Sequence, residues 1–184
     1  MRYILETSRI KGIPTLSIAP QTSRPCPVVF FVSGYGADKE QGLRVGTRLA
    51  EKGIFFLSFD PWLHGERYDE RLEQAADPEL GGVYPPETGL DTFLMMMRVI
   101  QRCLADIQTL RAHFSGDPRV DLDRCGVTGL SMGGYAAFLA FTRIPEMKAA
   151  VPMIGIPNFT QRWIDVLDEC AFSVPAWAKA LQEV

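Results

Sequence analysis

The chain is poor in histidine, with two in 184 residues, His64 and His113. Within this sequence, an imidazole base could come only from one of them. Cysteine is sparse as well. Cys26, Cys103, Cys125 and Cys170 stand far apart, with neither the spacing of a zinc site nor that of a disulfide framework. They read as reduced, mostly buried thiols in a cytoplasmic protein, with no metal expected. No apolar run reaches the roughly 18 residues of a membrane span. The opening Met-Arg-Tyr-Ile-Leu-Glu lacks the apolar core of a secretory signal. Basic residues are not in excess: 19 Lys and Arg against 22 Asp and Glu give a net charge of −3. Without a basic stripe, nucleic acid is not an expected partner. Repeats, low-complexity tracts and linkers are also missing. One domain over 1–184 is therefore expected, large enough to bury a substantial core.

Alternating strand and helix patterns fill that length. Residues 2–10 and 13–18 read as short strands joined near Lys11 and Gly12. The runs at 28–32 and 54–59 are apolar without alternation, as strands buried on both faces are. A helix is predicted over 39–52, with Leu43, Leu49 and Ala50 facing inward. A second follows Asp91, with Phe93, Met96, Ile100, Cys103, Ile107, Leu110 and Phe114 at alternating spacings of three and four. Strands at 124–129 and 148–154 bracket a helix at 132–143. Pro152 marks the last strand as an edge or a bulge. Residues 61–90 and 156–183 read as loop or cap segments. Strands alternating with helices imply an α/β fold, a mostly parallel sheet with helices on both faces.

The chemistry concentrates at 129–134, Gly-Leu-Ser-Met-Gly-Gly, a Gly-x-Ser-x-Gly pattern centred on Ser131. The bare pattern arises readily by chance. Its setting is more specific, with a strand before it and a helix after it. A serine there must sit on a sharp turn that flanking glycines permit. The helix N-terminus behind it offers N–H groups to developing negative charge. The backbone N–H of Met132 is the expected first oxyanion donor. Ser33-Gly-Tyr-Gly36, after the strand at 28–32, is the expected source of the second. The Tyr35 N–H is assigned there, with Gly34 and Gly36 allowing close backbone approach. A plain glycine-rich strand exit is the alternative for that loop. Trp62, Trp163, Tyr68, Tyr84 and Phe159 are available to line a pocket, and each is equally well explained as packing.

These residues resemble the α/β-hydrolase superfamily. The segments 28–39, 55–67, 120–135 and 149–154 follow in the expected order. Residues 59–67, Phe-Asp-Pro-Trp-Leu-His-Gly-Glu-Arg, and Asp121-Leu-Asp-Arg124 look most like the prolyl-oligopeptidase-like and dienelactone-hydrolase-like esterases. The resemblance implies a three-layer α/β-hydrolase sandwich. It also implies hydrolysis of carboxylic esters through a seryl acyl-enzyme on Ser131, with no cofactor. Ser33 departs from the histidine that relatives often carry before the oxyanion glycine. A larger departure lies at the C-terminal end. In such proteins the catalytic acid and histidine follow two strands beyond the counterpart of 149–154. Here the chain reaches Val184 with no histidine after His113, so the fold is expected to be C-terminally truncated.

Two candidate bases remain. His113, at the end of the long helix, is expected to face away from Ser131. His64 leaves a strand two places from that of Ser131, roughly 10 Å away at ~4.8 Å per strand, and is carried as the weaker catalytic candidate. Asp165, Asp168 and Glu169 occupy positions where some superfamily members place the acid, and a solvated helical face explains them more simply. Asp60 is expected to cap or orient its loop. The alternative function is a catalytically impaired binding or assembly module. The apolar strand at 149–154 is expected to be covered by residues 158–183, by a second copy or by another polypeptide.

Overall fold

The computed structural model describes residues 2–69 and 90–155. The expectations for Tyr84, Phe159, Trp163, Asp165, Asp168 and Glu169, and for most of both cap segments, lie outside the described residues.

β1 (Tyr3–Ile10) and β2 (Ile13–Pro20) form a hairpin closed by Lys11 and Gly12. Both turn residues have positive φ, 51° and 84°. That geometry matches the twist of the flanking strands and places Ile10 opposite Ile13. β3 (Cys26–Val32), β4 (Phe55–Phe59), β5 (Val120–Leu130) and β6 (Met147–Met153) complete one sheet in the order β1-β2-β4-β3-β5-β6. β2 is antiparallel to both neighbours, whereas β4, β3, β5 and β6 run parallel. The apolar runs of β3 and β4 take the sheet centre, where both faces must be covered.

Alternation along those strands divides the core. Val28, Phe30, Val32, Phe55, Leu57 and Phe59 face α2 (Leu90–His113) and α3 (Met132–Arg143). Phe31 and Phe56 face the opposite way, with Leu16 and Ile18, toward α1 (Leu43–Glu51). Each buried Phe or Leu contributes about 1.5–3 kcal/mol relative to exposure. α1 lies close because it carries Gly46: a Cβ there would stand 2.4 Å from the Phe56 ring. On α2, Ile100, Cys103, Ile107 and Leu110 are fully buried as the stripe requires, and Val99 joins them.

Several boundaries differ from the sequence expectation. β2 continues to Pro20. The helix at 39–52 opens with a 3-10 turn, Lys39–Gly42, before α1 begins. β5 starts at Val120, because Pro27 pairs with Asp121 and Val28 with Cys125, leaving 122–124 as a bulge. Asp121 holds the bulge by accepting from the Asp123 N–H and the Arg124 Nε. Among the described strands, β6 forms one sheet edge, and Val151 is 63% exposed.

Cys26, Cys103 and Cys125 are free and buried. Burial pushes the Cys125 thiol up to about 11. Among the described residues no cluster is suited to a metal ion, and no helix is long and apolar enough to cross a membrane.

Candidate active site

β5 ends at Leu130 and α3 begins at Met132. Ser131 between them has φ 53° and ψ −112°, a conformation that costs an L-residue of order 1–3 kcal/mol. Neighbouring backbone holds it there. The Ser131 N–H donates to the Met153 carbonyl at 2.9 Å, and its own carbonyl accepts from the Tyr135 N–H at 3.1 Å. The residue is exposed. The surrounding glycines are demanded by contact. A Cβ at Gly129 would stand 2.3 Å from the Gly133 carbonyl oxygen, and one at Gly133 only 1.9 Å from that of Val32. At Gly134 it would stand 2.6 Å from the Met153 carbonyl oxygen. The β5–α3 junction, the end of β3 and the end of β6 therefore touch at backbone distance around Ser131. Met132 is fully buried at the head of α3, so its N–H belongs to the first helical turn, which has no acceptor within the helix.

The turn after β3 reaches the same place. Gly34 lies against the Leu130 carbonyl oxygen, 3.4 Å from where its Cβ would be. The Ala37 N–H donates to the Gly34 carbonyl at 3.1 Å, closing a turn that needs the positive φ of Gly36, 78°. Ser33 is buried and its hydroxyl donates to the Ala37 carbonyl. The N–H of Gly34 donates to Gln41 Oε1 at 2.8 Å. Gly34 thus supplies close approach, with its own donor already engaged. Nothing in the local pattern marks Gln41, which stands seven residues away.

Asp60 organises the segment after β4, as its position at a strand end suggests. It is wholly buried. Its carboxylate accepts from the Lys39 N–H at 2.7 Å, Lys39 Nζ at 3.1 Å and the Glu66 N–H at 3.0 Å. Gly65 fits because a Cβ there would fall 2.4 Å from Asp60 Cγ. Lys39 Nζ also reaches Glu66 at 2.8 Å. Burial pulls the Lys39 pKa down, but its bonds to Glu66 and Asp60 outweigh that and the net direction is up. The Lys39 hydrogen bond holds the Glu66 carboxyl below the ordinary range. Arg67 ties the segment to α2 through Asp106. Burial raises the Asp106 pKa, with Arg67 opposing.

The structure brings some expected site residues together and separates others. Ser131, Met132 and Gly34 share the junction of β5, α3 and the β3 turn, and Tyr35 follows directly. Tyr35 and His64 meet edge to face, with ring centroids 5.2 Å apart. His64 Nδ1–H donates to the Trp62 carbonyl at 2.9 Å. β4, which His64 follows, is separated from β5 by β3. Trp62 is elsewhere: the Arg102 guanidinium sits 4.1 Å above its ring, and it packs against the core. His113 is exposed at the end of α2, against Phe114, which packs on Phe55 at the start of β4. That is the edge of the sheet opposite Ser131.

An exposed serine on a strained strand-to-helix turn, at the C-terminal edge of a sheet covered by helices on both faces, defines an α/β-hydrolase-type fold. The chain belongs to the Dienelactone hydrolase family, whose model matches residues 13–174. It is 30% identical over 166 residues to the candidate esterase YitV of Bacillus subtilis, covering 89% of this chain and 59% of that protein. It is 24% identical over 162 residues to the esterase YjfP of Escherichia coli, covering 85% and 57%. The chain thus spans a little under three fifths of these curated relatives. Among solved structures, acetyl xylan esterase 1 from Thermoanaerobacterium superposes with a TM-score of 0.60 at 18% identity, covering 90% of this chain and 56% of that one. Acylaminoacyl peptidase from Pyrococcus horikoshii does so with a TM-score of 0.60 at 20% identity, covering 89% and 25%.

Proposed function

We propose that the protein is a serine hydrolase of carboxylic esters, with Ser131 as nucleophile. One observation carries this: Ser131 is exposed at φ 53° on a turn whose neighbours leave no room for a side chain at 129, 133 or 134. Strain of that kind is retained where the surroundings over-determine it, commonly at functional sites. The hydroxyl oxygen bonds to the ester carbonyl carbon, the alcohol leaves with a proton, and water then releases the acid from the serine. The Met132 and Tyr35 N–H groups are the proposed oxyanion donors. Gly34 is unsuited to that task because Gln41 holds its N–H. Loss of one such donor typically costs 10²–10³ in kcat, about 2.7–4 kcal/mol. The membership of the Dienelactone hydrolase family and the likeness to esterases support this chemistry. Turnover of short-chain p-nitrophenyl esters tests it. Ser131→Ala is expected to lower kcat by several powers of ten, and equal turnover by that variant would refute the assignment.

A second reading draws on His64. Its Nδ1–H faces the Trp62 carbonyl and its strand is two places from β5, roughly 10 Å at ~4.8 Å per strand. We therefore assign His64 to the wall of the site and not to proton transfer. A fold with a poised serine and no base beside it would bind ester-like ligands or act in assembly without turnover. Absence of both fluorophosphonate labelling of Ser131 and ester hydrolysis, at any pH between 6 and 9, would select that reading. His64→Gln separates the roles: loss of turnover with loss of a titration near neutrality would make His64 the base.

A further inference from the structure

We infer that the site holds a small, uncharged substituent next to the scissile carbonyl, a phenyl ring or an aliphatic chain of similar bulk. It would occupy a cavity of about 210 Å³ behind Tyr35. The inference rests on the proposed ester chemistry at Ser131. Three pieces of the fold build the cavity. The β3 turn supplies Tyr35, the segment after β4 supplies Leu63, His64 and Tyr68, and α2 supplies Met95 and Val99. Val99, His64 and Leu63 are buried at 0%, 5% and 7% exposure, whereas Tyr68, 55% exposed, stands at the mouth.

Size follows from volume. Apolar cavities of about 150 Å³ bind benzene, so this one accepts a ring with modest slack. It is below the 300–1,000 Å³ of sites that enclose a whole drug-sized ligand. One substituent enters, and the rest of the substrate stays outside. Charge follows from the lining. Among the described residues, no Lys, Arg, Asp or Glu contributes to the wall. The Nδ1–H of His64 is committed to Trp62. Among the described residues, a carboxylate or ammonium would lose its hydration there with no opposite charge beside it.

Position and rigidity link the cavity to the reaction. Tyr35 is both its wall and the residue whose N–H is the proposed second oxyanion donor. Gly34, one residue earlier, touches the backbone directly before Ser131. Leu63 holds φ at 61°, in a turn closed by the His64 N–H on the Pro61 carbonyl at 3.0 Å. The buried Asp60 ties that segment to Lys39, just beyond the Tyr35 turn. The walls are therefore held in register before any ligand arrives, which limits the ordering cost of binding.

The test uses the full chain labelled with 13C at the methionine methyls, with the Met95 resonance assigned by its loss in Met95→Leu. Methyl benzoate should shift that resonance saturably, and the benzoate anion should bind at least tenfold more weakly. Met95→Trp, which fills the cavity, and the smaller Met95→Phe should each weaken methyl benzoate binding at least tenfold while unfolding cooperatively. No shift at Met95 up to the solubility of the ester, or equal binding of benzoate, would overturn the inference. Fluorophosphonate labelling of Ser131 in the same sample separates the two ideas. Labelling without a Met95 shift sinks the cavity alone, and a shift without labelling sinks the serine assignment while supporting the cavity. Kinetics tell which side of the carbonyl enters. One of two series, methyl esters of lengthening acids or acetates of lengthening alcohols, should gain about fourfold in kcat/KM per methylene until the cavity is full. Gain in neither series would also overturn the inference.

Discussion

Replacing Gly133 by Ala tests the account at its tightest contact. The added Cβ would lie 1.9 Å from the Val32 carbonyl oxygen, 2.6 Å from that carbonyl carbon and 2.8 Å from the Ser33 carbonyl oxygen. An ordinary carbon–oxygen approach is about 3.3 Å, so α3 or the end of β3 must retreat by roughly 1.4 Å. All three obstacles are backbone, and none can rotate aside. Overpacking costs typically 1–3 kcal/mol where side chains absorb it, and here the upper end, about 3 kcal/mol, is expected. For a domain of this size each kcal/mol moves Tm by about 2–4 °C, which makes the loss about 6–12 °C. Gly116 is the control: nothing lies within 4 Å of its added Cβ, and Ala there should be neutral or stabilising by up to about 1 kcal/mol. Urea and thermal unfolding followed by circular dichroism measure both. A Gly133→Ala protein within about 0.5 kcal/mol of the parent would show that the junction of β3, β5 and α3 is not packed as described.

Other outcomes follow from the same contacts. Lys39→Met leaves the buried Asp60 without its cationic partner and should destabilise by about 3 kcal/mol in urea unfolding, whereas removal of the exposed pair partner Glu51 should cost almost nothing. The acid limb of stability should carry a contribution from Glu66. Its folded pKa lies below the ordinary 4.5, chiefly through the Lys39 hydrogen bond, so the stabilisation is full above that value and fades as pH falls through the lowered one. Glu66→Gln should flatten that limb. Lys39 has the opposite sense: its raised pKa keeps its contribution below pH 10.5 and loses it as pH climbs through the folded value. Finally, a Cys170→Ser variant should react with a thiol reagent at pH 8 only on unfolding, because Cys26, Cys103 and Cys125 are buried and burial raises the thiol pKa of each. Rapid native-state reaction would contradict that burial.

The parts legible in the sequence are those written by near neighbours. The unalternating runs of β3 and β4 announce strands covered on both faces, and Lys11-Gly12 announces a two-residue turn. Gly129, Ser131 and Gly133 announce a sharp strand-to-helix passage because so few residues tolerate one. Contacts between residues distant along the chain were not legible. The Asp60 clamp joins Lys39 to residues 60–66 across 21 positions, and locally the stretch shows only Pro, Gly and charge. Trp62 looks like a pocket wall until Arg102, 40 positions on, is found stacked over it. Met95 lies off the apolar stripe of α2, so periodicity gave it no task, yet the cavity needs it. The bulge at 122–124 was not legible because the charged Asp121, Asp123 and Arg124 mask a strand that has already begun.

The central claim is that Ser131 is the reactive nucleophile. Its most direct measurement is the intact mass of the purified chain after exposure to a small fluorophosphonate, followed by peptide mapping, in the parent and in Ser131→Ala. The account predicts one adduct per parent chain, carried by the peptide containing residues 129–134, and none on the variant. An unmodified parent, or a variant that takes up the same adduct, would contradict it.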